Sequence, residues 1–135
     1  MEERQPIAIL AADDEPGVLA LVRRCLEGEH VLFTQASSGQ DAIDTVQKGL
    51  VPDLLITDLR MPGMAGDELA RQLRALQPDL KVLYLTGYTD HLFDAKQHLW
   101  AAEAYLEKPF TRAALREAVA LLVFGCTTAL QDLRR

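Results

Sequence analysis

The chain has 135 residues, about half of them apolar and a quarter charged, which fits one globular domain with a sizeable buried core. Its formal net charge of −6 argues against direct contact with nucleic acid, because phosphate binding needs a basic face. No apolar run reaches the length of a membrane span, and the apolar stretch near the N-terminus is too short for a signal peptide and runs straight into two acids.

The first apolar run, Ile7–Ala12, lacks the two-residue alternation of a half-exposed strand and reads as one buried on both faces, as in a parallel sheet. It closes on Asp13 and Asp14. A helix follows, with Val18, Leu21, Val22, Cys25 and Leu26 on one stripe. Val31–Ala36 reads as the second strand, and Ala42, Ile43 and Val46 mark the second helix. The third strand, Leu54–Thr57, runs into Asp58 and a Met-Pro-Gly turn, and Leu69, Leu73 and Leu76 stripe the helix beyond it. Val82–Thr86 is the fourth strand, followed by a helix with Leu92, Ala95 and Leu99 on its stripe. Ala104–Glu107 is the fifth, leading into Lys108 and Pro109, and Leu115, Ala118, Val119 and Leu122 stripe the last helix. Gly125 is placed to cap that helix. Residues 1–124 are expected to form the domain, and 125–135 a tail or the start of a linker. Cys25 and Cys126 are too few and scattered for a disulfide framework or a metal clip, so a cytoplasmic protein with reduced thiols is expected.

Five strands alternating with five helices make a doubly wound α/β domain with right-handed crossovers. In such sheets ligands bind outside the carboxyl ends of the strands, at the point where the strand order reverses. With the order 2-1-3-4-5, Asp13 and Asp14 face Asp58 across that crevice, and Thr86 and Lys108 stand on the next two strand ends. Carboxylates gathered so closely need a counter-charge, and hard oxygen ligands suit Mg²⁺. Lys108 adds a second positive charge. Aspartate can accept a phosphoryl group covalently, and phosphoryl transfer asks mainly for positioning and charge neutralisation. Each residue alone has an ordinary reading: Asp14 as a helix N-cap, Asp58 as a loop cap, Thr86 as a strand residue, Lys108 as a solvated lysine. Their coincidence at one sheet edge outweighs those readings.

The stretches "LAADDEP", "LLITDLRMPGMAGDEL", "LYLTGY" and "AYLEKPF" together resemble the receiver domains of two-component response regulators, over roughly residues 6–124. The resemblance implies a flavodoxin-like (βα)5 fold and a cis Lys108–Pro109 bond that turns Lys108 back towards the acids. It implies that Asp58 is the phosphoacceptor and that Asp13 and Asp14 hold Mg²⁺ with the main-chain carbonyl of Arg60. It further implies that Thr86 and Lys108 contact the phosphoryl group and that Tyr105 changes rotamer on activation. The donor would be a histidine kinase or a phosphotransfer protein. Arg60 and Tyr88, two residues beyond Asp58 and Thr86, would flank the phosphoryl group and tune its hydrolysis. Two positions depart from the family pattern: Ala65, where a polar turn residue is common, and Ala101, near where a glycine often ends the fourth helix.

A phosphorylation-independent pseudo-receiver would be expected to lose part of the acid, Thr and Lys set, which is intact here. A phosphatase with an aspartate nucleophile typically carries a second aspartate two residues on, where this chain has Arg60. A flavin or nucleotide domain lacks support, since no Gly-rich loop follows the first strand. The expected activity is a signalling switch, not an enzyme with a separate substrate. Its output is expected from the face of the fourth helix, fifth strand and last helix, where Phe93, Trp100, Leu121, Val123 and Phe124 offer apolar surface to a partner or a second copy.

Overall fold

A computed structural model of the protein describes residues 6–28, 30–87 and 103–125. In chain order the elements are β1 (Ile7–Ala12), α1 (Pro16–Leu26), β2 (Val31–Ala36), α2 (Gly39–Gln47), β3 (Leu54–Asp58), α3 (Gly66–Leu76), β4 (Lys81–Thr86), β5 (Glu103–Glu107) and α4 (Arg112–Phe124). The strands form one parallel sheet in the order β2-β1-β3-β4-β5, as the sequence reading expects. α4 is the last helix of that reading. The expected helix around Leu92, Ala95 and Leu99 lies outside the described residues, as do Tyr88, Phe93, Trp100, Ala101 and Cys126. Among the described residues no helix is long and apolar enough to cross a membrane.

Strand pleating sorts the core into two layers. Ile7, Ile9, Ala11, Leu54, Ile56, Leu83 and Leu85 pack on one face with Leu19, Val22 and Leu26 of α1 and Leu115 and Val119 of α4. Leu10, Ala12, Leu55, Val82 and Tyr84 pack on the other with Ala42, Ile43 and Val46 of α2 and Leu69 and Leu73 of α3. Two-sided burial of the strands thus follows from helices on both faces. It holds for β1, β3 and β4 but not for the outer pair. Leu32 on β2 is 58% exposed, and no residue of β5 is fully buried. An edge strand has a neighbour on one side only, and run composition does not distinguish edge from centre.

Two helix stripes are shifted from the sequence reading. On α1, Leu21 is exposed and Leu19 is buried instead. Leu19, Val22 and Leu26 share an i, i+3, i+7 row, and Leu21 falls at its margin. On α3, Leu76 is exposed and Ala70 takes its place beside Leu69 and Leu73. Leu76 is the last residue of the helix. Gly125 ends α4 in the left-handed region at φ 84°, and its N–H donates to the Leu121 carbonyl at 3.0 Å. Val123 and Phe124 pack against the core, while Leu121 stays exposed.

Truncation separates these roles. Leu73→Ala should cost about 2–5 kcal/mol in urea unfolding, the range for a buried leucine. Leu76→Ala and Leu21→Ala should each stay within about 0.5 kcal/mol of the parent.

Candidate functional site at the carboxyl edge of the sheet

The register assembles the site. Ala12 pairs with Thr57, so Asp13 and Asp58, each one residue further on, emerge side by side at the carboxyl edge. The Asp13 N–H donates to the Ala36 carbonyl at 3.1 Å, and the Leu59 N–H to the Leu85 carbonyl at 3.1 Å, which fixes both strand exits. On the far side, the Lys108 N–H donates to the Thr86 carbonyl at 2.7 Å. The Lys108–Pro109 peptide is cis. The Lys108 Nζ lies 3.3 Å from Asp58 Oδ1. One carboxylate oxygen from each of Asp13, Asp14 and Asp58 falls within a sphere of mutual distances no greater than 4.8 Å.

Burial makes this crowding costly. Asp13 is 1% exposed and Asp58 is 7% exposed, while Asp14 is open to solvent. Asp13 Oδ1 accepts the Glu15 N–H at 2.9 Å, but its Oδ2 is buried without a hydrogen-bond partner. Burial pushes the Asp13 carboxyl up to about 6; the Glu15 N–H pulls it down, and the Asp58 charge pushes it up again. A buried carboxylate oxygen with an unmet lone pair, beside two further hard oxygen donors, fits a small divalent cation. The donor set has the chemistry Mg²⁺ requires.

The N-cap reading of Asp14 fails. The α1 N-cap is Glu15, which makes no side-chain cap bond, and Pro follows in the first turn. Ala65, the departure noted in the turn, is the N-cap of α3 and likewise supplies no cap bond. Thr86 closes β4 and is 2% exposed. Arg60 stands exposed two residues beyond Asp58. Tyr105 is half-buried, with its ring centroid 5.3 Å from that of Tyr84. Gly66 is a site residue that the sequence reading missed. Its N–H donates to the Leu59 carbonyl at 2.9 Å, and a Cβ there would sit 2.3 Å from the Asp58 carbonyl oxygen. The "MAGDEL" stretch contains the signal, a glycine opening a helix next to an acid, but only the fold shows what it must clear.

Two outcomes test this geometry. Gly66→Ala should displace the turn behind Asp58 and cost about 1–3 kcal/mol in chemical denaturation. The Asp13 carboxyl is raised from its ordinary 3.8 to about 6, so between those pH values the folded state holds a proton that the unfolded chain releases. With more protons bound in the folded state, stability falls as pH rises through that window. In chelator, Asp13→Asn should therefore melt above the parent near neutral pH and lose that advantage near pH ~4. Added Mg²⁺ should raise the melting temperature of the parent near neutrality far more than that of Asp13→Asn.

Comparison with known proteins agrees with this arrangement. Residues 9–120 match the family described as the response regulator receiver domain. Sporulation initiation phosphotransferase F of Bacillus subtilis (strain 168) is 31% identical over 113 residues, which cover 82% of this chain and 89% of that protein. The DNA-binding transcriptional regulator NtrC of Klebsiella pneumoniae is 34% identical over 110 residues, 82% of this chain. The match covers 23% of NtrC, so the chain spans about a quarter of that relative's length. Among solved structures, the response regulator protein TrrA from Thermotoga maritima, in complex with Mg(2+)-BeF, is 34% identical with a TM-score of 0.73, covering 86% of this chain and 98% of that one. The chain belongs to the response regulator receiver domain family, a family of phosphoryl-accepting signalling domains.

Proposed function

We propose that Asp58 is the phosphoacceptor of this receiver and that the residues around it serve the transfer. The observation that carries this is a nearly buried aspartate at the carboxyl edge with an ammonium 3.3 Å away and two acids beside it. A carboxylate oxygen of Asp58 attacks the phosphorus of a phosphohistidine. The new O–P bond forms as the P–N bond breaks, and its electron pair stays on the donor imidazole. Lys108 balances charge on the phosphoryl oxygens, and the Thr86 hydroxyl donates to one of them. Asp13, Asp14, Asp58 and the main-chain carbonyl of Arg60 would hold Mg²⁺, which when bound neutralises charge on the phosphoryl group. Arg60, exposed two residues past Asp58, flanks the group and limits the approach of water.

Receiver domains interact with histidine kinases or phosphotransfer proteins, and the donor here is one of these. The switch serves signalling and takes no separate substrate. The receiver occupies residues 1–124, with 125–135 as a tail or linker, and works in the cytoplasm without touching nucleic acid itself. Phosphorylation draws Thr86 inwards and lets Tyr105 rotate, which changes the face of β5 and α4 on which Leu121 is exposed. That face, with the expected helix that lies outside the described residues, is the surface for a partner or a second copy. The pseudo-receiver alternative has nothing in its favour, since Asp13, Asp14, Asp58, Thr86 and Lys108 are all present and share one edge.

Incubation with acetyl phosphate and Mg²⁺ should add a single phosphoryl group by intact mass. Asp58→Asn should abolish it, because an amide is not a competent nucleophile, and chelation should slow it severely. Undiminished labelling of Asp58→Asn would move the acceptor elsewhere. Beryllofluoride with Mg²⁺ should strengthen self-association in sedimentation by a population shift worth about 1–3 kcal/mol, and Thr86→Ala should weaken that response.

A further inference from the structure

Tyr84 and Tyr105 are direct partners in the β4–β5 register. Tyr84, Thr86 and Tyr105 therefore share one face of the sheet, since residues two apart on a strand project to the same side. The two tyrosine rings meet at 5.3 Å with a 35° tilt. Tyr84 is 4% exposed, and its hydroxyl donates to Glu103 Oε2 at 3.3 Å. Glu103 pairs with Val82, so the bond draws the Tyr84 ring back along the strands, away from the carboxyl edge where Thr86 lies. The Glu103 side chain is itself 5% exposed and takes Arg74 Nη1 at 2.6 Å. Arg74, on α3, is held in turn by two bonds to the Leu80 carbonyl, from Nε at 3.1 Å and from Nη2 at 3.0 Å. The Glu103 carboxylate at the start of β5 thus joins α3, through Arg74, to Tyr84 in β4, and Arg74 adds a tie to Leu80 just before that strand.

Such a chain is expensive to bury unless geometry repays it. Here one oxygen, Glu103 Oε2, accepts from both the guanidinium and the phenol, which ties the Tyr84 hydroxyl to a fixed point. We infer that Tyr84 is a positioning residue for the switch: pinned through Glu103 and Arg74, it holds the ring of Tyr105 back from Thr86 in the unphosphorylated protein. This rests on the reading of Asp58 as acceptor and Tyr105 as switch. Loosening the pin frees the Tyr84 ring to give way to that of Tyr105, so it shifts the population towards the activated arrangement and tightens any ligand that prefers it.

The test uses the whole chain labelled with fluorotyrosine, the Tyr105 signal being assigned by its loss in Tyr105→Phe. In the parent, Mg²⁺ with beryllofluoride should move that signal. In Tyr84→Phe and Glu103→Gln, which keep shape but break the pin, the signal without beryllofluoride should already lie part of the way to the activated position. Beryllofluoride affinity should rise roughly two- to tenfold, the range set by the net worth of one hydrogen bond. A role confined to packing would lower the melting temperature and leave both readouts in place. A Tyr105 signal that moves in the parent but is unchanged, or moves the opposite way, in both variants overturns this inference alone. A signal that beryllofluoride fails to move in the parent overturns the switch reading together with it.

Discussion

Repulsion among carboxylates is the constraint on which the rest depends. Asp13, Asp14 and Asp58 are brought within 4.8 Å of one another, and Asp13 and Asp58 are buried where water cannot screen them. Nothing in folding favours that arrangement for its own sake. The parallel sheet imposes it, because two neighbouring strands end in step and each ends on an acid. Lys108, from a third strand end, brings an ammonium to 3.3 Å from Asp58. On the proposed reading a bound cation relieves this crowding of negative charge, and it also offsets the further charge that a phosphoryl group adds. Binding energy at this edge is thereby linked to the conformation of everything attached to it.

The attachments run along β4 and β5. Thr86 is the last residue of β4, and its carbonyl receives the Lys108 N–H. A movement of the chain at Thr86 is therefore felt by β4 and β5 together. On the layer under α2 and α3, the rings of Tyr84 and Tyr105 meet between the two strands, and in our proposal the Arg74–Glu103 pair sets their resting arrangement. On the opposite layer Leu83 and Leu85 lock the same strand to α4 through Leu115 and Val119.

Much of this was legible in the sequence. Short runs of four to six residues without alternation mark every strand, because two-sided burial erases the polar face. Acids, Thr and Lys at the ends of those runs located the edge, since strand ends in a parallel sheet converge. Edge effects were not legible: the polar residues of Val31–Ala36 are Thr34 and Gln35, yet it is Leu32 that faces solvent. Helix phase is legible only to within a residue, so the stripe takes in Leu21, which is exposed, and leaves out Leu19, which is buried. Gly66 and the Arg74–Glu103–Tyr84 chain were out of reach for a different reason. Their meaning lies in contacts between elements distant in sequence, which neither spacing nor composition encodes.

The most direct measurement of the central claim is chemical localisation of the phosphoryl group on the intact chain. Borohydride reduces an aspartyl phosphate to homoserine and leaves free carboxylates untouched, so peptide mass spectrometry after labelling reads the acceptor position. Homoserine at position 58, dependent on Mg²⁺ and on the acids at 13 and 14, is the expected result. Homoserine at 13 or 14, or a phosphoryl group held without reducible aspartate, would contradict it.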